Sequence, residues 1–428
     1  MRTRPCTLAA WMAACLVAGP VAMALLGLGM GWPALAHAQP PARRLVVWMV
    51  GDDKTPRLLQ AAVTTFKAEH PGVEVEVRDV PWADAMTKYS AALASGRGPD
   101  VITGSTTYAI DLGQKGGLVD LARRAPDIVQ LLAQHANPGA LRAVRRPDGA
   151  IFAAPFDMHV QLQFYRTDLL PRAPATWAEF TSTVQSLQAK GTRGFAQQWG
   201  NTTWVGFYPY LRQAGGAIYD AGCTRSEVDS PEAVKALTYY ASIYRLLKAP
   251  TDSWPDADGG LENGSYPLMQ SGTWQVSQLD VMHKQLVGKW AAAPLPASDT
   301  GRRTALLGGT AMGVTTFSPH IDLALEFMRT VYRPQVSRQM AESALGLGLM
   351  WLPAGRQDQI AGLPLPEDRK QAMLAQLQDA EGPPNCPGWM RLDYAVTRAV
   401  QRVVLSGADP QTELTRAAAI LNRPLVAR

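Results

Sequence analysis

Between Leu45 and Ile102 the chain alternates short apolar runs with helical ones, and that order leaves few folds open. Leu45 to Val50 carries no charge and reads as a buried strand. A polar turn follows at Gly51-Asp52-Asp53-Lys54. Leu58, Leu59, Ala62, Val63 and Phe66 then recur at helical spacing, and His70-Pro71-Gly72 ends that helix. Val73, Val75 and Val77 alternate with Glu74, Glu76 and Arg78, the period-two pattern of a strand with one wet face. Ala83 to Ala94 is again helical, Gly98-Pro99-Asp100 breaks it, and Val101-Ile102 begins another strand. This order predicts a parallel sheet covered by helices. Ligands of such sheets sit at strand carboxyl ends, near helix N-termini. Asp52 to Lys54 and Thr103 to Tyr108 occupy two such ends.

The rest of the chain continues in mixed α/β fashion. Ala150 to Tyr165 reads as extended, with Pro155 interrupting. Thr176 and Glu179 have capping-box spacing. Asp229-Ser230-Pro231-Glu232 opens another helix, with Pro in the first turn. Leu306 to Thr316 reads as a strand, Ile321 to Tyr332 and Tyr394 to Leu405 as helices.

The first 38 residues have a different character. Arg2 and Arg4 precede a nearly charge-free run from Leu8 to Trp32, which ends near Ala36-His37-Ala38. A short basic start, an apolar stretch and a small-x-small site together predict a cleaved secretory signal. The run could also span a bilayer, but Pro20, Pro33 and several glycines interrupt it. The expected location is the periplasm. About 390 residues then remain, too many for one ordinary core, and two domains are expected.

Composition narrows the function. The formal net charge is only +5, with no long Lys/Arg block, which argues against a nucleic-acid binder. Two cysteines survive cleavage, Cys223 and Cys386. In an oxidising compartment they are a disulfide candidate, two separate thiols being the alternative. No Cys/His cluster has metal-ligand spacing, and no metal or cofactor is expected. Gly-x-Ser-x-Gly, His-Glu-x-x-His and Walker loops are absent from the sequence. Tryptophan stands out instead, with 12 in the chain. Several stand beside glycine or polar residues, as in Thr203-Trp204-Val205-Gly206 and Gly272-Thr273-Trp274. A sugar's apolar C–H face packs on such rings, while its hydroxyls need short polar side chains.

Several segments, in order, resemble the extracellular solute-binding proteins of ABC importers, in the maltose-binding branch. They are Val47 to Lys54, Ala94 to Val101 with its Gly-x-Gly-Pro-Asp, and Gly116-Gly117-Leu118. Pro155 to Leu170, Ala214-Gly215-Gly216, Gly272-Thr273-Trp274 and Ser406 to Pro410 continue the match. The resemblance implies a type II periplasmic-binding-protein fold: two α/β lobes joined by a hinge, with the ligand between them. The lobes would be residues 39–156 plus 314–350 and residues 157–313 plus 351–428. Crossings would lie near Pro155 to Met158, Leu307 to Val314 and Gly348 to Pro353. Both cysteines would fall in the second lobe, so a bridge between them would not lock the hinge.

The resemblance also implies site residues. Asp53 and Lys54 match sugar-hydroxyl contacts of the first loop, and Trp274 matches a stacking aromatic. Tyr394 and Arg398 match a pair on the late helix. His159 aligns with an acid, which Asp157 replaces from two residues away. Thr106, Thr107 and Tyr108 stand where relatives carry Thr-Thr-aromatic, and Gly309 lies in a crossing. Asn201 and Trp204 substitute for a polar and an aromatic contact of the second lobe. The function implied is capture of a mono- or oligosaccharide and delivery to ABC permease subunits, by a monomer without catalysis. Alternatives are a receptor for a glycerol-phosphate or sugar-phosphate ester, a secreted carbohydrate-active enzyme, and a structural or adhesive protein.

Overall fold

The computed structural model describes residues 43–51, 55–197, 199, 203–252, 257–352, 357–383 and 385–424. The expected signal segment lies outside them, as do Asp53, Lys54 and Asn201.

The strand–helix alternation is present. β1 (Arg43–Gly51) lies parallel between β2 (Val73–Pro81) and β3 (Val101–Ser105). Parallel neighbours need long crossovers, which α1 (Gln60–Glu69) and α2 (Trp82–Ser95) provide. α2 stops at Gly96, whose φ of 62° is the left-handed conformation that glycine adopts without strain. The Pro99-Asp100 segment has a structural task. Asp100 is buried, and its carboxylate accepts from the Val46 N–H at 2.7 Å and the Ser318 hydroxyl at 2.6 Å. It thereby ties β1 to a loop more than two hundred residues away.

Beyond β3 the sheet is mixed rather than wholly parallel. β3 pairs antiparallel with β8 (Ala305–Val314), and β8 pairs antiparallel with β4 (Ala154–Arg166). β4 pairs antiparallel with β6 (Leu268–Gly272), which is parallel to β5 (Phe195–Gln197). The order is β2-β1-β3-β8-β4-β6-β5, with β7 (Trp290–Ala293) on β4 and β9 (Ala380–Glu381) on β8. β8 and β4 break the parallel pattern because they cross the sheet rather than closing a local strand–helix–strand unit.

Two apolar clusters fill the molecule. One gathers Leu45, Val47, Phe66, Phe327 and Met312, and follows β4 through Met158 and Phe164 to Trp290. The other gathers Phe180, Phe207, Leu237, Tyr240, Trp389, Val396 and Leu414. Local signals hold well in this second region. Thr176 accepts from the Glu179 N–H at 3.1 Å, while the Glu179 carboxylate reaches one residue further back, to Ala175 N–H at 2.9 Å. Ser230 caps the helix Pro231–Arg245 through Ala233 N–H.

Cys223 and Cys386 are bonded, with Cα atoms 5.4 Å apart and a sequence separation of 163. Closing so long a loop removes roughly 5 kcal/mol of denatured-state entropy. Cys223→Ser with Cys386→Ser is therefore expected to lower the melting temperature clearly, and the exported protein, unfolded and non-reduced, is expected to show no free thiol. Equal melting with and without reductant would contradict that role.

Candidate functional site

The strand ends and crossings bring several expected residues together. At the end of β3 the chain turns into α3 (Thr106–Gln114), with Ser105 as N-cap. The Ser105 hydroxyl lies 2.7 Å from that of Thr107. Thr106 and Thr107 are buried, whereas Tyr108 is only half-buried and faces the edge of Trp82, with ring centroids 6.5 Å apart. Burial raises the Tyr108 phenol's pKa, and the Asp393 carboxylate adds to that shift. The start of α3 thus lies close to the late helix Trp389–Gln401.

A second group forms on β4. Its register shifts between Pro155 and Asp157, a bulge that re-aims the side chains following it. The Asp157 carboxylate accepts from Leu352 N–H at 2.8 Å through one oxygen. Its other oxygen lies 3.0 Å from His159 Nε2. His159 Nδ1 lies 2.8 Å from the Thr273 hydroxyl, and the imidazole stands edge-on to Trp274 with centroids 5.4 Å apart. Asp157, His159 and Thr273 thus make one polar chain from β4 to the turn after β6. The Trp274 indole lies over Gly272, where any Cβ would come within 1.9 Å of the ring. That contact fixes the plane of a partly exposed aromatic.

Gly309 sits opposite Met158 at φ 145°. A Cβ there would lie 1.9 Å from the Asp157 carbonyl oxygen. What it provides there is close backbone approach, which keeps β8 against the bulge.

On the late helix Tyr394 is 59% exposed, and the Arg398 guanidinium lies 5.6 Å from its ring centre. Trp204 departs from the sequence expectation of an open stacking face. It is 7% exposed, with Trp389 edge-on at 4.9 Å and Tyr208 at 6.2 Å, so its ring is spent on the second core. Asp53, Lys54 and Asn201 lie outside the described residues.

Four further residues belong to this region and were not expected. Trp82 follows β2 at a strand carboxyl end, the position that a sheet rule would have flagged. Thr273 orients His159. Asp111 is buried, and its carboxylate accepts from the N–H groups of Trp389 and Met390 at 3.1 and 3.2 Å, capping the late helix from α3. Only tertiary structure reveals that cap. Asp393, one helical residue before Tyr394, has its carboxyl pushed up to about 6 by burial, against a weak opposing hydrogen bond from Thr397.

Among the described residues, no group of three or more His, Cys, Asp or Glu is placed to hold a metal. Nor is any described helix long and apolar enough to cross a membrane.

The arrangement defines a protein class: two α/β lobes joined by crossing strands, the type II periplasmic-binding-protein fold. The chain belongs to the family of bacterial extracellular solute-binding proteins, whose sequence model matches residues 52–337. A binding protein of Brucella abortus (strain 2308) is 23% identical over 382 residues, spanning 86% of this chain and 89% of its own. The lactose-binding protein of Rhizobium radiobacter is 23% identical over 317 residues, 68% of this chain and 71% of its own. Maltose-bound MalE3 of T. maritima superposes with a TM-score of 0.74 at 25% identity, over 89% of this chain and 99% of that one. An ABC transporter solute-binding protein of Thermotoga lettingae, bound to α-D-tagatose, gives 0.74 at 21% identity with the same coverage. The family and these neighbours are binding proteins rather than enzymes.

Two predictions follow from the geometry. Gly309→Ala is expected to cost roughly 1–3 kcal/mol from backbone strain alone, with the clash on Asp157 adding to it; urea unfolding of the variant measures this. The second concerns Asp393. Its folded-state pKa, about 6, is above the ordinary 3.8, so the folded protein holds a proton that the unfolded chain has lost. The stability from this group is complete below the ordinary value and is lost as pH rises through about 6. Asp393→Asn should therefore flatten that part of the stability profile and raise the melting temperature above neutral pH relative to wild type. An unchanged slope in thermal melts across this range would contradict the assignment.

Proposed function

We propose that this chain captures a carbohydrate between its lobes and hands it to the membrane permease subunits of an ABC importer, without bond chemistry. The reading includes export through cleavage after the first 38 residues, work in the periplasm, and a monomeric receptor. In it, residues 39–156 plus 314–350 form one lobe, and residues 157–313 plus 351–428 the other.

The observation that carries the reading is the Trp274 indole, held over Gly272 beside the Asp157–His159–Thr273 chain. A flat apolar face next to preoriented donors and acceptors matches the two surfaces of a pyranose. Tyr108, Trp82 and Tyr394 supply further aromatic faces, and Asp393 and Arg398 supply polar groups on the late helix. Thr106, Thr107, Asp53, Lys54 and Asn201 complete the proposed set, with Gly309 setting the backbone spacing. Trp204 acts from behind, by packing Trp389. The relatives add support in kind, since their names record lactose, maltose and tagatose as ligands.

A thermal-shift titration of the exported protein against mono-, di- and trisaccharides and against glycerol phosphodiesters tests the proposal. A ligand at a hundred times its dissociation constant adds about 2.7 kcal/mol to the folded state. A saturable shift with one sugar class is expected, and Trp274→Ala should weaken that sugar about tenfold, the equivalent of 1.4 kcal/mol, while its own far-UV spectrum stays unchanged. A shift with phosphodiesters alone would move the ligand to that class. Release of product from a chromogenic glycoside would replace the receptor reading with an enzyme.

A further inference from the structure

A cavity of about 570 Å³ lies away from the proposed sugar residues, none of which lines it. One wall is the helix Pro138–Val144 and the loop after it, where Ala143 and Val144 are buried. The facing wall includes Tyr208, Ala217 to Ala221 and Glu381 to Pro383, beside the Cys223–Cys386 disulfide. Tyr208, Ile218, Tyr219 and Cys386 belong to the second apolar cluster. The cavity thus lies where residues of both halves of the molecule meet.

Its lining is cationic. Arg142, Arg145, Arg146 and Arg212 face two acids, Asp220 and Glu381. Both acids are already committed. Glu381 pairs with Arg212 at 2.8 Å. Asp220 accepts from the Thr224 N–H and hydroxyl, which hold its carboxyl below the usual range. Arg146 pairs with Asp148, which does not line the cavity. Among the described residues, Arg142 and Arg145 have neither a carboxylate partner nor a side-chain hydrogen bond. Both are exposed, so their guanidinium groups stand hydrated and available at the cavity's mouth, where the helix C-terminus favours cations by about 0.3–1 kcal/mol.

A second observation is independent of charge. Asn385 lines the same cavity, is 8% exposed, and neither its Oδ1 nor its Nδ2 has a hydrogen-bond partner. Buried carboxamides are almost always paired, since leaving one unpaired is costly. A ligand that both accepts and donates hydrogen bonds would supply the partner that the protein does not.

We infer that this cavity is a second ligand site, for a compact oxyanion with at least two negative charges, either a phosphoryl compound or a polycarboxylate. Guanidinium groups favour both, because their planar donor forks match paired oxygens. Arg142 and Arg145 supply the uncompensated charge, and Asn385 reads a polar group beside it. Because the ligand touches both walls, its binding is coupled to how those walls are set.

The test uses the exported, oxidised protein at low ionic strength, with sodium pyrophosphate and sodium citrate as probes in separate calorimetric titrations. Saturable one-to-one binding is expected with at least one of them, weakening as salt rises. Arg142→Ala with Arg145→Ala should weaken it about tenfold or more with the circular dichroism spectrum unchanged. Arg145→Glu alone, at an exposed position, should act in the same direction. Which probe binds distinguishes phosphoryl from carboxylate. The inference is overturned if neither probe saturates, or if the arginine variants bind as wild type does. Loss of binding in Arg398→Ala instead would also overturn it, by placing the anion among the proposed sugar residues.

Discussion

The antiparallel pairing of β4 with β8 is the constraint on which the rest depends. These two strands occupy the middle of the sheet and join its parallel half to its far edge. The pairing is not regular. It carries a bulge between Pro155 and Asp157, and a glycine with positive φ stands opposite Met158, where any Cβ would meet the Asp157 carbonyl. Downstream of the bulge, ordinary alternation puts Asp157 and His159 on one face of β4, and the β4–β6 pairing brings Thr273 beside them. The same pair of strands thus joins the two parts of the sheet and carries the Asp157–His159 pair.

Preorganisation is the second theme. Asp157, His159 and Thr273 are largely buried and already hydrogen-bonded to one another and to Leu352 N–H. Groups fixed in this way lose little freedom when a ligand arrives, which lowers the cost of binding. Asp111 extends the logic across the molecule. It satisfies two N–H groups at the start of the late helix, whose N-cap residue, Gly388, has no side chain to do so. Two helices that bear proposed ligand residues are thereby fastened to each other.

Local chemistry made much of the fold legible. The valines of β2, the caps at Thr176 and Ser230, and Ile321 to Tyr332 all follow patterns a few residues long. Glycine and polar neighbours suggest an open ring for Trp204, but its burial is set at long range by Trp389, far along the chain. Asp111, Thr273 and Asn385 were missed on the same ground. Each draws its meaning from a partner, or the want of one, that only folding reveals. The pair Cys223 and Cys386 was legible because two thiols in an oxidising compartment leave few choices.

The most direct measurement is a crystal structure of the exported protein with the sugar that stabilises it most. The account predicts that sugar between the two lobes, one face of a ring on Trp274 and hydroxyls within hydrogen-bond distance of the Asp157–His159 pair. A sugar bound away from Trp274 and from β4 would contradict it.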